Sequence, residues 1–246
     1  MTVTNDVKGV RQRTVIVGAA QGIGKAVAQL LGVCGHELVL ADVQVDRLAV
    51  VASDLRTRGA EVSAHHLDLD DTDSIAKTFD EVGAVSGLVS TAAAMHSADP
   101  LTVDPAQFEE VLKLNLIGNY ALAQAAARSM ISHNSAGSIV VVTSAAARRP
   151  HPNIGVYAAS KAAVTQALRV LGLATQPYGI RINTVAPTAT RTEMLTNEAS
   201  HGTGVVPEYV NDPDDIANVI AFLLSPASRA INLREIPLDG GTLLGL

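Results

Sequence analysis

Runs of continuous apolar sequence alternate with amphipathic helical patterns along most of the chain. The run 138–142, for example, reads Ser-Ile-Val-Val-Val and lacks the alternation typical of a strand with one wet face. Strands of this kind belong to parallel sheets, because helices cover both faces of such a sheet. The helical patterns between the runs are long enough for the crossovers that parallel strands require. The alternation therefore predicts an α/β fold, a doubly wound parallel sheet with helices on both faces.

Seven strands and six helices follow from this pattern. The strands are predicted at about 14–17, 36–42, 61–67, 86–91, 137–144, 179–186 and 233–238. The helices are predicted at about 22–33, from after Asp42 to Gly59, and at 71–82, 104–130, 154–175 and 213–225. Hydrophobic residues make up 48% of the 246 residues, which is enough for one large core, so residues 1–246 are predicted to form a single domain. The one long irregular stretch, about 188–212, is predicted to be a lid over a functional site.

Charge and apolar content narrow the function classes. With 24 acidic and 18 basic residues the net charge is −6, which lacks the positive footprint of a nucleic-acid-binding protein. No apolar run reaches the ~18–20 residues that span a bilayer, so a soluble, cytoplasmic protein without a membrane partner is expected. The one cysteine, Cys34, excludes an internal disulfide framework and is expected to be a buried apolar residue.

Glycines at positions 18, 22 and 24 lie where the first strand gives way to the first helix. One interpretation is a tight turn that needs a positive φ and binds nothing. The other is a nucleotide site, in which glycines let the backbone approach a pyrophosphate and the helix N-terminus offers N–H donors. The spacing, with three residues and then one between glycines, differs from the commoner dinucleotide fingerprint. The turn alone therefore leaves both interpretations open.

Acidic residues follow the next two strands. Asp42 ends the second strand, where a ribose 2′-hydroxyl would arrive and a 2′-phosphate would be repelled, so it favours NAD over NADP. No arginine or lysine stands at Gln21 or Val43, so nothing nearby is expected to compensate for an added phosphate. Asp68, after the third strand, either meets the adenine amino group or caps the following helix, and Asp42 has the same capping alternative.

Tyr157 and Lys161 lie four residues apart on a predicted helix, and therefore on one face of it. A free tyrosine has a pKa of ~10, and an adjacent cation stabilises the phenolate, which makes the phenol usable as an acid or a base near neutral pH. Such a pair is also common on helix surfaces. Ser144 closes the fifth strand at the carboxyl edge, where open α/β sheets bind ligands, and its presence favours a catalytic group.

Taken in order, these motifs resemble the short-chain dehydrogenase/reductase family over nearly the whole chain. The matching positions are Gly18-x-x-x-Gly22-x-Gly24, Asp42, Asp68, Asn115, Ser144, Tyr157-x-x-x-Lys161, Pro187 with Thr192, and Asp239-Gly240-Gly241. The resemblance implies a Rossmann-type fold and an NAD-dependent oxidoreductase. It implies that Ser144 bonds the substrate oxygen and that Tyr157 exchanges its proton. Lys161 would hold the nicotinamide ribose and lower the tyrosine pKa, and Asn115 would anchor a water in the proton path.

The same resemblance implies the binding residues. Those expected to bind NAD are Gly18, Gln21, Gly22, Ile23, Gly24, Asp42, Asp68, Leu69, Ala92, Tyr157, Lys161, Pro187 and Thr192. Those expected to bind substrate are Ser144, His151 and Tyr157. No metal is expected, because the adjacent His65 and His66 point to opposite faces of a strand.

Three departures from the family pattern concern the cofactor more than the chemistry. The chain has Ser90-Thr91-Ala92-Ala93 where the family usually has Asn-Asn-Ala-Gly. Val17 replaces a common threonine before the first glycine, and Thr188 replaces a common glycine after Pro187. None of these changes affects the residues expected to transfer a proton.

The C-terminal segment 230–246 and the run Arg191-Thr192-Glu193-Met194 resemble the 2,3-dihydro-2,3-dihydroxybenzoate dehydrogenases of siderophore pathways. This resemblance implies a cyclic dihydrodiol substrate and a place in secondary metabolism. Those enzymes carry an arginine where this chain has His151. Arg148, Arg149 and Arg191 are either replacements for it as partners of a substrate carboxylate or solvated surface residues. His151 is either a polar group at the substrate mouth or a plain surface-loop histidine.

Three functions are therefore compared. The first is hydride transfer between NAD and a secondary alcohol or ketone, and the second is reduction of an acyl, polyketide-like or steroid carbonyl. The third is a nucleotide-sensing protein without turnover, against which the retained Asn115, Ser144, Tyr157 and Lys161 argue. The resemblance also implies a homotetramer or homodimer, joined through the helices at 104–130 and 154–175.

Overall fold

The computed structural model describes residues 12–194 and 209–243. Every predicted strand is present, with bounds Arg13–Val17 (β1), Glu37–Asp42 (β2), Val62–His66 (β3), Gly87–Ser90 (β4), Gly137–Val142 (β5), Ile180–Pro187 (β6) and Glu235–Leu238 (β7). The α-helices are Gly22–Val33 (α1), Val45–Thr57 (α2), Thr72–Val82 (α3), Pro105–Leu112 (α4), Asn119–Ser132 (α5), Gly155–Thr175 (α6) and Pro213–Leu224 (α7). The predicted strands and helices are thus largely confirmed, with one helix divided.

The strands form one parallel sheet in the order β3-β2-β1-β4-β5-β6-β7. This confirms the predicted doubly wound α/β class with seven parallel strands. The chain leaves β1 toward β2 on one side and returns to β4 on the other, so the order reverses between β1 and β4. Ligands of open α/β sheets bind outside the carboxyl ends of the strands at such a point.

Two apolar cores lie on the two faces of the sheet. Along β1, Val15 and Val17 face the core beneath α3, α5 and α6, whereas Ile16 faces the core beneath α1, α2 and α7. Successive side chains of a strand point to opposite faces, so a strand covered on both sides is apolar at every position. The continuous apolar runs of the sequence therefore have their physical reason in these two layers.

The predicted helix at 104–130 is divided into α4, a π-helical segment Lys113–Gly118 and α5. The division coincides with contacts that the sequence pattern does not reveal. Within the π segment, Asn115 bonds the backbone of Ala94, and Gly118 packs so closely on Leu69 that an added Cβ would lie 2.3 Å from its carbonyl oxygen. Single π turns inside helices are frequent at functional sites.

Other expectations need correction or lie partly outside the described residues. Cys34 is exposed, not buried, because α1 ends at Val33 and the cysteine follows as its C-terminal cap. The predicted lid is described at 188–194 and 209–212, and 195–208 lie outside the described residues. In the two described ranges, no helix combines the length and apolar character of a bilayer-spanning segment.

Candidate functional site

The glycine-rich turn between β1 and α1 is closely packed. Gly18 and Gly22 have φ of +82° and +53°, a region that favours glycine. A Cβ on Gly24 would lie 2.1 Å from the carbonyl oxygen of Gly18, so no larger residue fits there without movement. The turn thus brings bare backbone to the N-terminus of α1, which suits an approaching pyrophosphate.

The segment after β4 closes this turn from the other side. The Thr91 hydroxyl lies 3.1 Å from the Val17 carbonyl oxygen and 3.2 Å from that of Gly18. Ser90 is fully buried, and its hydroxyl donates to the side-chain oxygen of Asn119 at 2.6 Å. The departure from the usual Asn-Asn-Ala-Gly therefore has polar contacts of its own, and Thr91 supports the turn.

Asp42 lies at the carboxyl end of β2 and is only 6% exposed. Its carboxylate accepts from the Ala20 N–H at 3.0 Å and the Gln44 N–H at 2.9 Å. The capping alternative is wrong, since α2 begins at Val45 and Gln44 is its N-cap. Asp42 is instead bonded to the glycine-rich turn, beside the position expected for the adenosine ribose.

Asp68 also does not cap the next helix. The N-cap of α3 is Asp71, whose side chain accepts from the Asp73 N–H. The carboxylate of Asp68 accepts from the Asp70 N–H at 2.9 Å in a local turn. The adenine contact stays a prediction for Asp68.

A cation lies closer to the turn than the sequence suggested. Arg47, on α2, donates to the side-chain oxygen of Gln21 and forms a 2.8 Å ion pair with Glu193. The expectation that no cation lies near Gln21 is therefore wrong. Arg47 is four residues beyond Val43 in the sequence, but the first turn of α2 brings its side chain to Gln21. Both members of the ion pair are more than half exposed.

Tyr157 and Lys161 face the interior from the first part of α6. Tyr157 is 6% and Lys161 1% exposed, and the lysine Nζ lies 5.6 Å from the centre of the tyrosine ring. Lys161 donates to the carbonyl oxygen of Val142 at 3.1 Å. Burial lowers the pKa of Lys161 to about 8. A cation that stays protonated at neutral pH therefore lies beside a phenol, as the four-residue spacing predicted.

Asn115 is fully buried and joined to this pair through Ser160. Its amide nitrogen donates to Ser160 Oγ at 3.0 Å and to the Ala94 carbonyl oxygen at 2.8 Å, and its oxygen accepts from the Ala94 N–H. Ser160 donates in turn to the Tyr157 carbonyl oxygen at 2.7 Å. Ser160 was not among the predicted site residues, and its only signal in the sequence is its place directly before Lys161. The expected water contact of Asn115 stays a prediction.

Ser144 lies two residues beyond the end of β5. Its hydroxyl accepts from the Ala146 N–H at 3.2 Å and so caps the 3₁₀ turn Ala145–Ala147. Among the described residues it has no recorded acceptor, so its proton can be donated to a substrate oxygen. His151 lies four residues before the start of α6 at Gly155, with Nδ1 3.0 Å from the Pro152 carbonyl oxygen.

The other predicted cofactor residues surround the same edge of the sheet. Thr192 packs against the turn, since a Cβ on Gly22 would lie 3.1 Å from its methyl carbon. Leu69 is buried beside the π segment, and the Ala92 carbonyl oxygen accepts from Asn119 at 3.3 Å. Ile23 follows Gly22 on α1, and Pro187 ends β6. The predicted set is therefore brought to one edge of the sheet, the carboxyl edge, with the glycine-rich turn at the reversal point of the strand order.

The three arginines considered for a substrate carboxylate differ in their partners. Arg148 is ion-paired with Glu235, and Arg191 is ion-paired with Asp212 at 2.6 Å. Arg149 is exposed and donates to the carbonyl oxygen of Thr242 at 3.1 Å. Only Arg149 of these three therefore lacks an ion-paired carboxylate within the described ranges. No cluster of His, Cys, Asp and Glu suited to a metal occurs there either.

Comparison with known proteins agrees with this arrangement. A family model described as "Enoyl-(Acyl carrier protein) reductase" matches residues 18–242. The 2,3-dihydro-2,3-dihydroxybenzoate dehydrogenase of Bacillus subtilis (strain 168) is 31% identical, with 94% of this chain and 95% of the relative covered. The vibriobactin-specific 2,3-dihydro-2,3-dihydroxybenzoate dehydrogenase of Vibrio cholerae serotype O1 is 30% identical, with 97% of this chain and 98% of the relative covered. A solved short chain dehydrogenase/reductase family protein superposes with a TM-score of 0.87 at 29% identity, over 95% and 97% of the two chains.

The chain belongs to the short-chain dehydrogenase/reductase family. It is accordingly an oxidoreductase that acts on alcohol groups of a small molecule with a nicotinamide cofactor. The resemblance seen in the motifs is thus confirmed over nearly the full length.

Proposed function

We propose that this protein transfers hydride between NAD and a secondary alcohol or ketone, with a cyclic dihydrodiol such as 2,3-dihydro-2,3-dihydroxybenzoate as substrate. The observation that carries the chemistry is the buried Lys161 ammonium 5.6 Å from the centre of the Tyr157 ring. The relatives named for this dihydrodiol support the substrate class.

The proton is handled by three side chains of this chain. In the oxidative direction the Tyr157 phenolate accepts the proton of the substrate hydroxyl, while the Ser144 hydroxyl donates to the same oxygen and orients it. The Lys161 ammonium stabilises the phenolate electrostatically. Asn115 holds the π segment and, through Ser160, the first turn of α6, so it keeps the tyrosine in place.

The cofactor site fits a dinucleotide. The glycine-rich turn admits no Cβ at Gly18 or Gly24, and backbone N–H groups at the start of α1 suit the pyrophosphate. The Asp42 carboxylate would accept from a ribose 2′-hydroxyl. When bound, the nicotinamide accepts hydride from the alcohol carbon or supplies it to the ketone.

Asp42→Asn is expected to weaken the preference for NAD. The amide keeps an oxygen acceptor for the Ala20 N–H but removes the charge that repels a 2′-phosphate, and Arg47 lies nearby to attract it. The ratio of the NADPH to the NADH dissociation constant should fall about tenfold, measured by fluorescence titration. Asp46→Asn, an exposed acid on α2, is the control and should leave this ratio within twofold. An unchanged ratio in Asp42→Asn would remove the role proposed for Asp42.

The substrate class is tested with purified protein and NAD, by following NADH formation. We expect turnover of 2,3-dihydro-2,3-dihydroxybenzoate, because oxidation of a cyclic dihydrodiol is followed by aromatisation to a catechol. Arg149→Gln should raise the KM for this acid about tenfold, since Arg149 is the arginine left to bind its carboxylate. Arg169→Gln, at a half-buried arginine of α6, is the control.

A carbonyl reductase of a neutral acyl, polyketide-like or steroid substrate is the second candidate. The observation in its favour is that Arg148 and Arg191 are already paired with carboxylates. Neither arginine is then available to bind the carboxylate of an anionic substrate. Turnover confined to neutral alcohols or ketones would select this candidate. NADH binding without turnover of any substrate would instead favour the nucleotide-sensing protein.

The cytoplasmic location, the homotetramer or homodimer, and the place in secondary metabolism stay predictions.

A further inference from the structure

A buried carboxylate lies on β7, a strand for which the sequence suggested no chemical role. The side chain of Glu235 is 2% exposed and forms an ion pair with Arg148, whose side chain is 45% exposed. The hydroxyls of Thr143 and Thr165 each lie 3.4 Å from Glu235 Oε1. Glu235 is therefore in contact with three residues, two from the segment that follows β5 and one from α6.

Each of these contacts is next to a residue proposed for the reaction. Thr143 directly precedes Ser144, and Thr165 donates to the Lys161 carbonyl oxygen at 2.7 Å, one turn further along α6. Arg148 follows the 3₁₀ turn Ala145–Ala147 that Ser144 begins. Glu235 thus contacts residues adjacent to Ser144 and, through Thr165, a residue bonded to Lys161.

An ion pair in this place is weak evidence for a role in stability. Removing a carboxylate from water is costly, and apolar residues of similar volume often serve as well or better in a protein interior. Thr184 on β6 is paired in register with Glu235. The Thr184 hydroxyl is buried and has no hydrogen-bond partner within the described part of the chain. A polar cluster beneath α6 therefore persists despite its cost, next to the reacting groups.

We propose that Glu235 is a positioning residue for Ser144. Its carboxylate holds Arg148 and thereby fixes the end of the 3₁₀ turn, which sets the place of the serine hydroxyl relative to Tyr157. The Thr165 hydroxyl lies 3.4 Å from the same carboxylate, so α6 packs beside it. This inference rests on the proposed function of Ser144, and it assigns to β7 a part in orienting the substrate oxygen.

The test uses Glu235→Gln, Arg148→Gln and the double variant in the full-length protein. Glu235→Gln keeps an oxygen acceptor for the threonines but removes the ion pair. Arg148→Gln breaks the same pair by changing its half-exposed member, and it is therefore the variant expected to disturb folding less. Each single variant should lower kcat about tenfold, because small displacements of reacting groups have large effects on rate. The dissociation constant for NADH should change less than twofold. The double variant should be no slower than the slower single variant, since both remove one interaction.

Glu37→Gln is the matched control. Glu37 pairs with Arg13 at 2.7 Å, at the amino ends of β1 and β2 and so at the opposite edge of the sheet. This variant should leave kcat within twofold of the wild type. If it lowers kcat as much as Glu235→Gln does, or if Glu235→Gln and Arg148→Gln are both within twofold of the wild type, the positioning role is wrong.

Amide hydrogen exchange separates this inference from the proposed function. In Glu235→Gln and Arg148→Gln, exchange of the segment 144–149 should become at least several times faster, while exchange of β1 and β2 stays unchanged. This readout does not depend on knowing the substrate. If the wild type turns over no substrate but this segment exchanges faster, the proposed function fails and the anchoring of the turn stands. If exchange of the segment is unchanged, the inference fails whatever the activity.

Discussion

Tyr157→Phe is expected to lower kcat by about 10²- to 10⁴-fold, the usual range for loss of a positioned acid or base. Tyr157 is buried, its ring lies beside Lys161, and its hydroxyl is the only group that phenylalanine lacks. Removing that oxygen leaves the ring packing intact but leaves the substrate hydroxyl without a proton acceptor. The rate is measured with NAD and the best substrate found.

Binding of the cofactor distinguishes loss of chemistry from loss of structure in this variant. The dissociation constant for NADH should stay within about threefold, and the thermal midpoint should stay close to that of the wild type. Tyr178→Phe, in the exposed turn after α6, is the matched control and should retain full activity. Wild-type turnover by Tyr157→Phe would show that the acid or base is another group.

Lys161→Met is expected to lower kcat by about 10²-fold or more and to raise the free energy of unfolding. Burial depresses the pKa of this lysine from 10.5 to about 8, so the folded protein at pH 7 holds an ammonium that burial disfavours. That difference corresponds to about 3 kcal/mol at 1.36 kcal/mol for each pH unit. Met has a similar length and no charge, but the Val142 carbonyl oxygen loses its donor. The lost donor costs at least about 1 kcal/mol, so a net gain of up to about 2 kcal/mol should appear in denaturant unfolding at pH 7.

The pH dependence of stability gives a second measure of the same lysine. Between about pH 8 and 10.5 the folded lysine is largely neutral while the unfolded one is protonated, so the unfolded chain binds more protons. The free energy of unfolding contributed by Lys161 must then rise with pH across that range and be flat below it. The difference between the wild-type and Lys161→Met curves should show this rise. Lys77→Met, an exposed control on α3, should show none. A lower stability of Lys161→Met at pH 7 would contradict the assignment.

Much of the fold follows from local sequence. Continuous apolar runs predicted the seven strands, because both faces of each run are covered, and Asp42 could be placed at the carboxyl edge because it ends such a run. The division of the helix at 104–130 could not be predicted, since the π segment Lys113–Gly118 depends on contacts with Ala94 and Leu69. A local pattern contains no information about those contacts.

The candidate site, like the fold, could be predicted only in part from the sequence. The spacing of Tyr157 and Lys161 within one helix predicted their association. The pairs Arg47 with Glu193 and Arg148 with Glu235 join residues that are 146 and 87 positions apart, and no spacing rule reaches across such distances. Solvent exposure of an arginine can be guessed from sequence, but its partner depends on the packed structure.

The strand order also bears on how the protein is made. β1 lies in the middle of the sheet, yet its neighbour β4 begins only at Gly87, about 70 residues later. At about 5–20 residues per second, the ribosome needs several seconds to supply that neighbour, and one edge of β1 stays unpaired meanwhile. Thr91, which supports the glycine-rich turn, emerges later still. The glycine-rich turn is therefore completed only after residue 91 has left the ribosome, and a nicotinamide cofactor cannot stabilise the nascent chain through the complete turn before then.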